Sequence, residues 1–377
     1  MNIRRTKAIA KKEMIQILRD PRSLVMAIAI PMLLLILYGY ALTLDVDQVE
    51  TVVLDRDRTQ LSADFIDKFG RSRYFRMVAH VSTYEVLQRT IESGKAKMGL
   101  IIPYDFSEKV NTGEGIPIQV ILDGSDSNTA TIIRGYVLGL VQIFSFELSR
   151  NPSRHQPAKE PLPSVDLQAR VWFNTDLESK NFIIPGLIAV IMMIIAALLT
   201  SLTVAREWER GTMEQLISTP VETTELIVGK LFPYFFIGLI DVALSVIMGK
   251  FFFKVPLRGS PLLIFGSSSV FLVGALGLGF LLSVVTRSQL LASQAAMIMT
   301  FLPAFLLSGF IFAISNMPKG VQIITYIIPA RYFVTILKGI FLKGIGVKII
   351  WAEGIFLAFF GLMIILLSKL AFKKKLV

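Results

Sequence analysis

Six apolar runs constrain this chain more than any other feature of its sequence. They are residues 23–44, 182–205, 226–253, 261–286, 289–314 and 349–371. A hydrocarbon core of about 30 Å is crossed by a helix of about 20 apolar residues, and each run meets that length. Buried helices of a soluble protein are the competing reading. It fails on number, because one soluble core does not absorb six such runs. Two further stretches are ambiguous. Residues 132–148 form a shorter apolar run with Arg134, Gln142 and Glu147, which reads as a helix of a polar domain. Residues 321–342 carry Pro329 and Arg331 at their centre. That pattern predicts a broken pair of short helices, re-entrant or interfacial, tolerated where protein buries the backbone.

The charge distribution agrees with this reading. The net charge is +11, yet residues 45–181 hold 16 Lys and Arg against 19 Asp and Glu. The remainder holds 23 against 9, so the basic surplus lies beside the apolar runs. Nucleic-acid binding, which concentrates basic residues on a soluble fold, is thereby disfavoured. Arg4, Arg5, Lys7, Lys11, Lys12, Arg19 and Arg22 precede the first run, and Lys369, Lys373, Lys374 and Lys375 close the last. By the positive-inside rule both ends are expected in the cytoplasm, which six spans allow. Lys250, Lys254 and Arg258 depart from the rule, since they fall on the outer side. The long basic region before the first run argues against a signal peptide. There is no Cys, and His80 and His155 are the only His. Disulfides, thiolate metal sites and a Ser–His centre are therefore not expected.

Residues 1–21 predict a basic amphipathic helix on the lipid surface, with Ile3, Ala10, Met14, Ile17 and Leu18 on one face. The same helix could also touch a cytosolic partner. Residues 45–181 predict an extracytoplasmic α/β domain. Strand patterns lie at 49–54, 98–103, 116–122 and 165–174, helical spacing at 62–69 and 83–93, and a long helix at 128–148. Residues 150–164 read as a Pro-rich connector. No phosphate loop occurs, because Gly94-Lys95 and Gly229-Lys230 lack the upstream glycine.

The second and third runs are joined by Arg206-Glu207-Trp208-Glu209-Arg210-Gly211-Thr212-Met213-Glu214-Gln215-Leu216-Ile217-Ser218-Thr219-Pro220-Val221. Gly211 can end the preceding helix. Thr212 with Gln215 reads as a capping box, and Thr219 with Pro220 and Glu222 as a second helix start. A short stiff helix at 211–220 results, with Met213, Leu216 and Ile217 on one face and Glu214 and Gln215 on the other. Glu207, Glu209 and Glu214 make it an acidic exception on a basic side, as a partner surface would be.

This segment resembles the coupling-helix segment of ABC-2 type transporter permeases, whose usual form is close to R-E-x-E-x-G-T-x-E-x-L-x-x-[ST]-P. The basic N-terminal helix, the six spans, the broken pair at 316–345 and the large domain after the first span extend the resemblance over the whole chain. It resembles most the bacterial multidrug or hydrophobic-compound exporters of the inner membrane. The resemblance implies a polytopic α-helical membrane protein of the type V exporter fold. It implies a half-transporter that pairs with a second permease subunit, identical or not. Two separate ATPase subunits would carry ATP and Mg, so this chain would itself be no enzyme. Arg206, Glu207, Glu209, Gly211, Thr212, Glu214, Gln215, Leu216 and Pro220 would couple it to them. A periplasmic adaptor or outer-membrane factor is a further candidate partner. The substrate pathway is assigned to Met192, Met193, Gln294, Met297, Thr300 and Phe301, with Asp241 near the membrane midplane as a packing or functional acid. A small-residue stripe, Ala275, Gly279 and Ser283, predicts close helix packing. The rival readings are a secondary transporter and a membrane receptor or scaffold without ATP coupling.

Overall fold

A computed structural model describes residues 2–41, 46–113, 115–125, 127–150 and 178–372. In chain order the elements are α1 (Ile3–Arg19), α2 (Pro21–Leu24), a π-helical stretch (Val25–Ala29), α3 (Ile30–Ala41), β1 (Val49–Asp55), α4 (Gln60–Arg71), β2 (Phe75–His80), α5 (Tyr84–Glu92), β3 (Met98–Ile102), α6 (Phe106–Thr112), β4 (Gln119–Leu122) and α7 (Ser127–Arg150). They continue with α8 (Ser179–Glu209), α9 (Thr212–Ser218), α10 (Thr223–Ile247), α11 (Pro261–Thr286), α12 (Gln289–Leu306), α13 (Lys319–Thr325), α14 (Pro329–Lys338) and α15 (Val347–Ala371). The chain divides into two compact units, Met1–Thr43 with Val171–Val377, and Leu44–Arg170.

In the helical unit, five of the apolar runs appear as α8, α10, α11, α12 and α15, each long and apolar enough to cross a membrane. The first run is helical from α2 through α3, interrupted by the π-helical stretch. Its expected end at 44 lies outside the described residues, as do Lys373–375. The run expected to reach 314 stops earlier. α12 ends at Leu306, and Gly309 takes a left-handed backbone (φ 78°) in the turn that follows. The broken pair is present: α13 and the segment Pro329–Lys343 meet at 84°. Pro329 starts the second helix, where its missing N–H costs nothing.

α8 is the centre of this unit. It is apolar all round apart from its ends, and a helix with no polar face is buried on every side. α11 approaches it closely through the small-residue stripe. A Cβ on Gly279 would collide with the Ala197 carbonyl and the Thr200 hydroxyl. The Thr200 hydroxyl donates to the Leu276 carbonyl at 2.8 Å, and Ser283 Oγ accepts the amides of Val204 (3.0 Å) and Ala205 (2.9 Å). Small side chains here exchange volume for backbone contact, which is how helices associate without a hydrophobic drive between them.

The other unit is a four-stranded sheet of order β2-β1-β3-β4. β1 runs parallel to β2 and β3, and β4 pairs antiparallel with β3. Side chains from α4, α6 and α7 cover one face through Phe65, Phe69, Phe106, Ile133, Val137 and Phe144. Leu87 of α5 packs on the other beside Val52, Leu54 and Ile101. Gly99 admits α5, since a Cβ there would lie 2.8 Å from the Leu87 side chain. β2 and α6 were not expected. β2 is an edge strand with alternating exposure, so its sequence lacks the continuous apolar signal of β3. β4 begins at Gln119, later than the pattern at 116 suggests. α7 passes the length and hydropathy test for a span over Thr129–Leu148. It nonetheless spends its inward face on the core of this unit, with the Phe144 ring 4.8 Å from that of Phe65 on α4. The connector at 150–164 and the strand at 165–174 lie outside the described residues.

Candidate coupling site

The last turn of α8 distributes four consecutive side chains to different parts of the helical unit. Arg206 pairs with Asp20 beyond the end of α1 (3.6 Å) and its Nε donates to Gln289 Oε1 (3.4 Å). Glu207 receives Lys12 of α1 (2.5 Å), Lys230 of α10 (3.4 Å) and the hydroxyl of Thr212 on α9. The Arg287 guanidinium lies 4.7 Å above the Trp208 ring. Glu209 accepts the Gln289 amide at 2.7 Å and its side-chain NH2 as well. One helix end thus holds α1, α9, α10 and the α11–α12 turn.

Lys230 is the innermost member, 1% exposed and held by Glu13 of α1 at 2.6 Å and by Glu207. A buried ammonium is tolerated only when opposite charges and hydrogen bonds surround it. α1 comes close enough to supply them because of Gly229, where a Cβ would lie 2.8 Å from Ile9. Its first turn is tied down too: Asn2 N–H donates to Glu225, and Arg5 donates to the Pro220 carbonyl.

The local structure departs from the expected capping. Gly211 is the N-cap of α9, in a left-handed conformation (φ 69°) that glycine adopts without steric cost. Thr212 is the first helical residue, and its hydroxyl turns back to Glu207 instead of capping the helix. Thr219 closes α9 as its C-cap, and Pro220 stands outside any helix. The next helix is capped by Glu222 with Glu225 in a capping box. Two expectations about faces also change. Met213 is fully buried with Val204, Leu226 and Phe280, while Leu216 and Ile217 are half-buried against that cluster, so the apolar side of α9 is largely spent inside the chain. On α1 the inward residues are Glu13 and Ile17, whereas Ile3 and Leu18 are exposed. The helix packs on α10 through a mixed face, with Ile9 against Gly229 and Glu13 on Lys230.

Glu214, Gln215, Ser218 and Pro220 remain exposed, together with Arg210 and Gly211. An open groove beside them is lined by Pro220, Val221, Glu222, Thr223, Thr224 and Lys369. Glu209 is exposed but occupied by Gln289, and Glu207 is buried. Of the three acids of that exception, Glu207 and Glu209 are therefore spent on partners within the chain, and Glu214 is exposed.

The residues assigned to a substrate pathway do not converge within one chain. Met192 and Met193 are buried in α8, and Thr300 turns its hydroxyl to the Ala296 carbonyl (2.7 Å) on the inner face of α12. Gln294 and Met297 lie on the outer face of α12, and Phe301 stacks on Phe305 at 5.3 Å. Asp241 is buried on α10. Sequence reasoning missed Glu13, Lys12, Lys230, Arg287 and Gln289. Lys230 carried a signal, since it shares the inward stripe of α10 with Leu226, Pro233 and Ile237. Its partners lie about 23 and 217 positions away and leave no trace in local spacing.

Comparison with known proteins shows the family of the chain. The family model described as "ABC-2 family transporter protein" matches residues 21–369. The chain is 42% identical over 374 residues to the "Probable multidrug ABC transporter permease YbhS" of Escherichia coli (strain K12), covering 99% of this chain and 98% of that one. It is 32% identical to the "Probable multidrug ABC transporter permease YbhR" of the same strain, over 91% of each chain. It is 28% identical to the "Inner membrane transport permease YhhJ", over 85% of this chain and 84% of the relative. The match runs from the first apolar helix to the last and includes the α8–α9–α10 segment, and on that basis the chain belongs to the ABC-2 family of transporter proteins.

Proposed function

We propose that this chain is the membrane-spanning permease subunit of an ATP-driven exporter, moving a hydrophobic or amphipathic compound out of the cytoplasm or inner leaflet. Two relatives are named as multidrug permeases and a third as an inner-membrane permease, which supports both the substrate class and a bacterial inner-membrane location. The observation that carries the reading is α9: a seven-residue helix whose exposed polar side stands on a rigid internal clasp. Separate ATPase subunits, two per pair of permeases, bind ATP and Mg, and one docks on the side of α9 formed by Glu214, Gln215 and Ser218.

Force then has a defined route. Movement of α9 is carried by Thr212 to Glu207, and by Glu207 to Lys230 on α10 and to Lys12 on α1. α8 moves with them because Glu207 is part of its last turn. A second permease subunit completes the transport cavity, which accounts for the scatter of pathway residues within one chain. The unit at 44–170 faces the outside and offers a surface to a periplasmic adaptor or outer-membrane factor. Co-purification tests the reading. The native chain is expected to retain an ATPase, and Glu214→Lys with Gln215→Lys is expected to lose it while the chain stays folded. A native chain that retains no ATPase overturns the proposal.

A further inference from the structure

Asp241 stands on α10 three turns beyond Lys230, about 16 Å along the helix axis. It is 1% exposed, and its Oδ1 is buried without a hydrogen-bond partner. On α11, Ser268 is also 1% exposed, and its Oγ is likewise buried without a partner. Two orphaned polar atoms inside a membrane helix bundle require an explanation, because native interiors leave few such groups unmade.

The packing of α10 on α11 brings the two to one level. Leu226 and Ile227 of α10 share a cluster with Phe280 and Val284 of α11, and Gly238 meets the Leu272 side chain. The numbers rise on one helix as they fall on the other, so the helices are antiparallel. One further turn carries α10 from Gly238 to Asp241 and α11 from Leu272 to Ser268. Both residues lie on the inward stripes of their helices.

No counter-charge is within reach. Among the described residues no Lys, Arg or His lies within 4 Å of Asp241. α8 has no ionisable side chain from Phe182 to Ala205, and α3, the π-helical stretch before it and α11 have no Lys, Arg, His, Asp or Glu. α1 meets α10 at the Lys230 end, where its Lys12, Glu13 and Arg5 are engaged with Glu207, Lys230 and Glu225. On α15, Lys348 and Lys369 lie toward its two ends, and between them the one charged group is Glu353, an acid whose Oε2 is itself buried and without a partner. An ionised carboxylate in this setting would be unpaired at membrane depth, which is strongly unfavourable.

We propose that Asp241 is an intramembrane proton-binding site: a neutral acid whose carboxyl and the Ser268 hydroxyl, each unpaired as the helices stand in this structure, close on one another across the α10–α11 contact when the proton is bound. The ligand is a proton; a bound metal cation and an ionised carboxylate are the alternatives the experiment separates. The inference rests on the packing within this chain and holds whatever compound is transported and whatever drives it.

Infrared difference spectroscopy of the full-length chain in lipid, with its copurified partners, tests it. At neutral pH the wild type minus Asp241→Asn spectrum is expected to contain one carboxylic-acid carbonyl band. A lost carboxylate band in its place overturns the proposal, as does loss of the acid band on exchanging K+ for Na+. Ser268→Ala keeps the carboxyl and removes a small buried hydroxyl, so it reads the same band even if Asp241→Asn does not fold. Its acid band is expected to shift to higher frequency. An unmoved band overturns the pairing with Ser268.

Discussion

Glu207 and Asp241 are both buried acids on neighbouring helices, and their surroundings differ in every respect. Glu207 meets two ammonium groups and a hydroxyl from three different elements. Among the described residues Asp241 meets no cation, and one of its oxygens lacks a hydrogen-bond partner. The difference teaches that burial by itself says little about what an acid does. The first is a junction, where the energy of desolvating charges is offset by bonds that also join α1, α9 and α10 to the end of α8. The second is an acid set in an apolar contact with no counter-charge among the described residues, an arrangement that a bound proton makes tolerable.

The largest expected effect comes from breaking the junction at its core. Lys230→Met leaves Glu13 buried with its cation gone, and removing one partner of a buried ion pair costs about 3–5 kcal/mol. Thermal unfolding of the detergent-solubilised chain is expected to show a sharply lowered midpoint, and an unchanged midpoint would mean that the clasp contributes nothing to stability. Next is the close contact that holds the junction's helix in place. Gly279→Val drives a side chain into the Ala197 carbonyl, and overpacking of this kind costs about 1–3 kcal/mol. It is checked by the same unfolding measurement, with Gly279→Ala giving a smaller loss in the same direction.

Thr212→Val tests force transfer more than folding. It removes one hydrogen bond to a charged group, worth about 1.5–3 kcal/mol, and it uncouples α9 from Glu207. ATPase activity of the complex is expected to persist while transport falls; undiminished transport would exclude this link from the route. The smallest stability effect is expected at Asp241→Asn, an isosteric change within about 1 kcal/mol if the acid is already neutral. A destabilisation as large as that of Lys230→Met would erase the contrast between the two acids.

The helical unit was readable from sequence wherever the signal was local. α8, α10, α11 and α15 need only length and apolarity, and the break before α14 needs only Pro329. Local capping was less readable, because Thr212 has two possible uses. Its hydroxyl could cap α9 or turn back to Glu207, and the choice depends on where Glu207 is held by Lys12 and Lys230. β2 was missed since an edge strand needs little apolar sequence. α7 shows the limit from the other side, for its composition alone would pass for a membrane span.

The sequence by itself determined the place of five long apolar helices, α8, α10, α11, α12 and α15, the α/β character of the other unit and the family to which the motif at 206–221 points. These follow from the period and length of apolar runs, which each segment carries within itself. Only the tertiary structure decided that Glu207 is internal, that Glu13 and Lys230 complete it, and that Asp241 and Ser268 share a level. Ion pairs and orphaned atoms depend on which distant side chains meet, and the free energy of a buried charge is set by those neighbours and not by its own position in the chain.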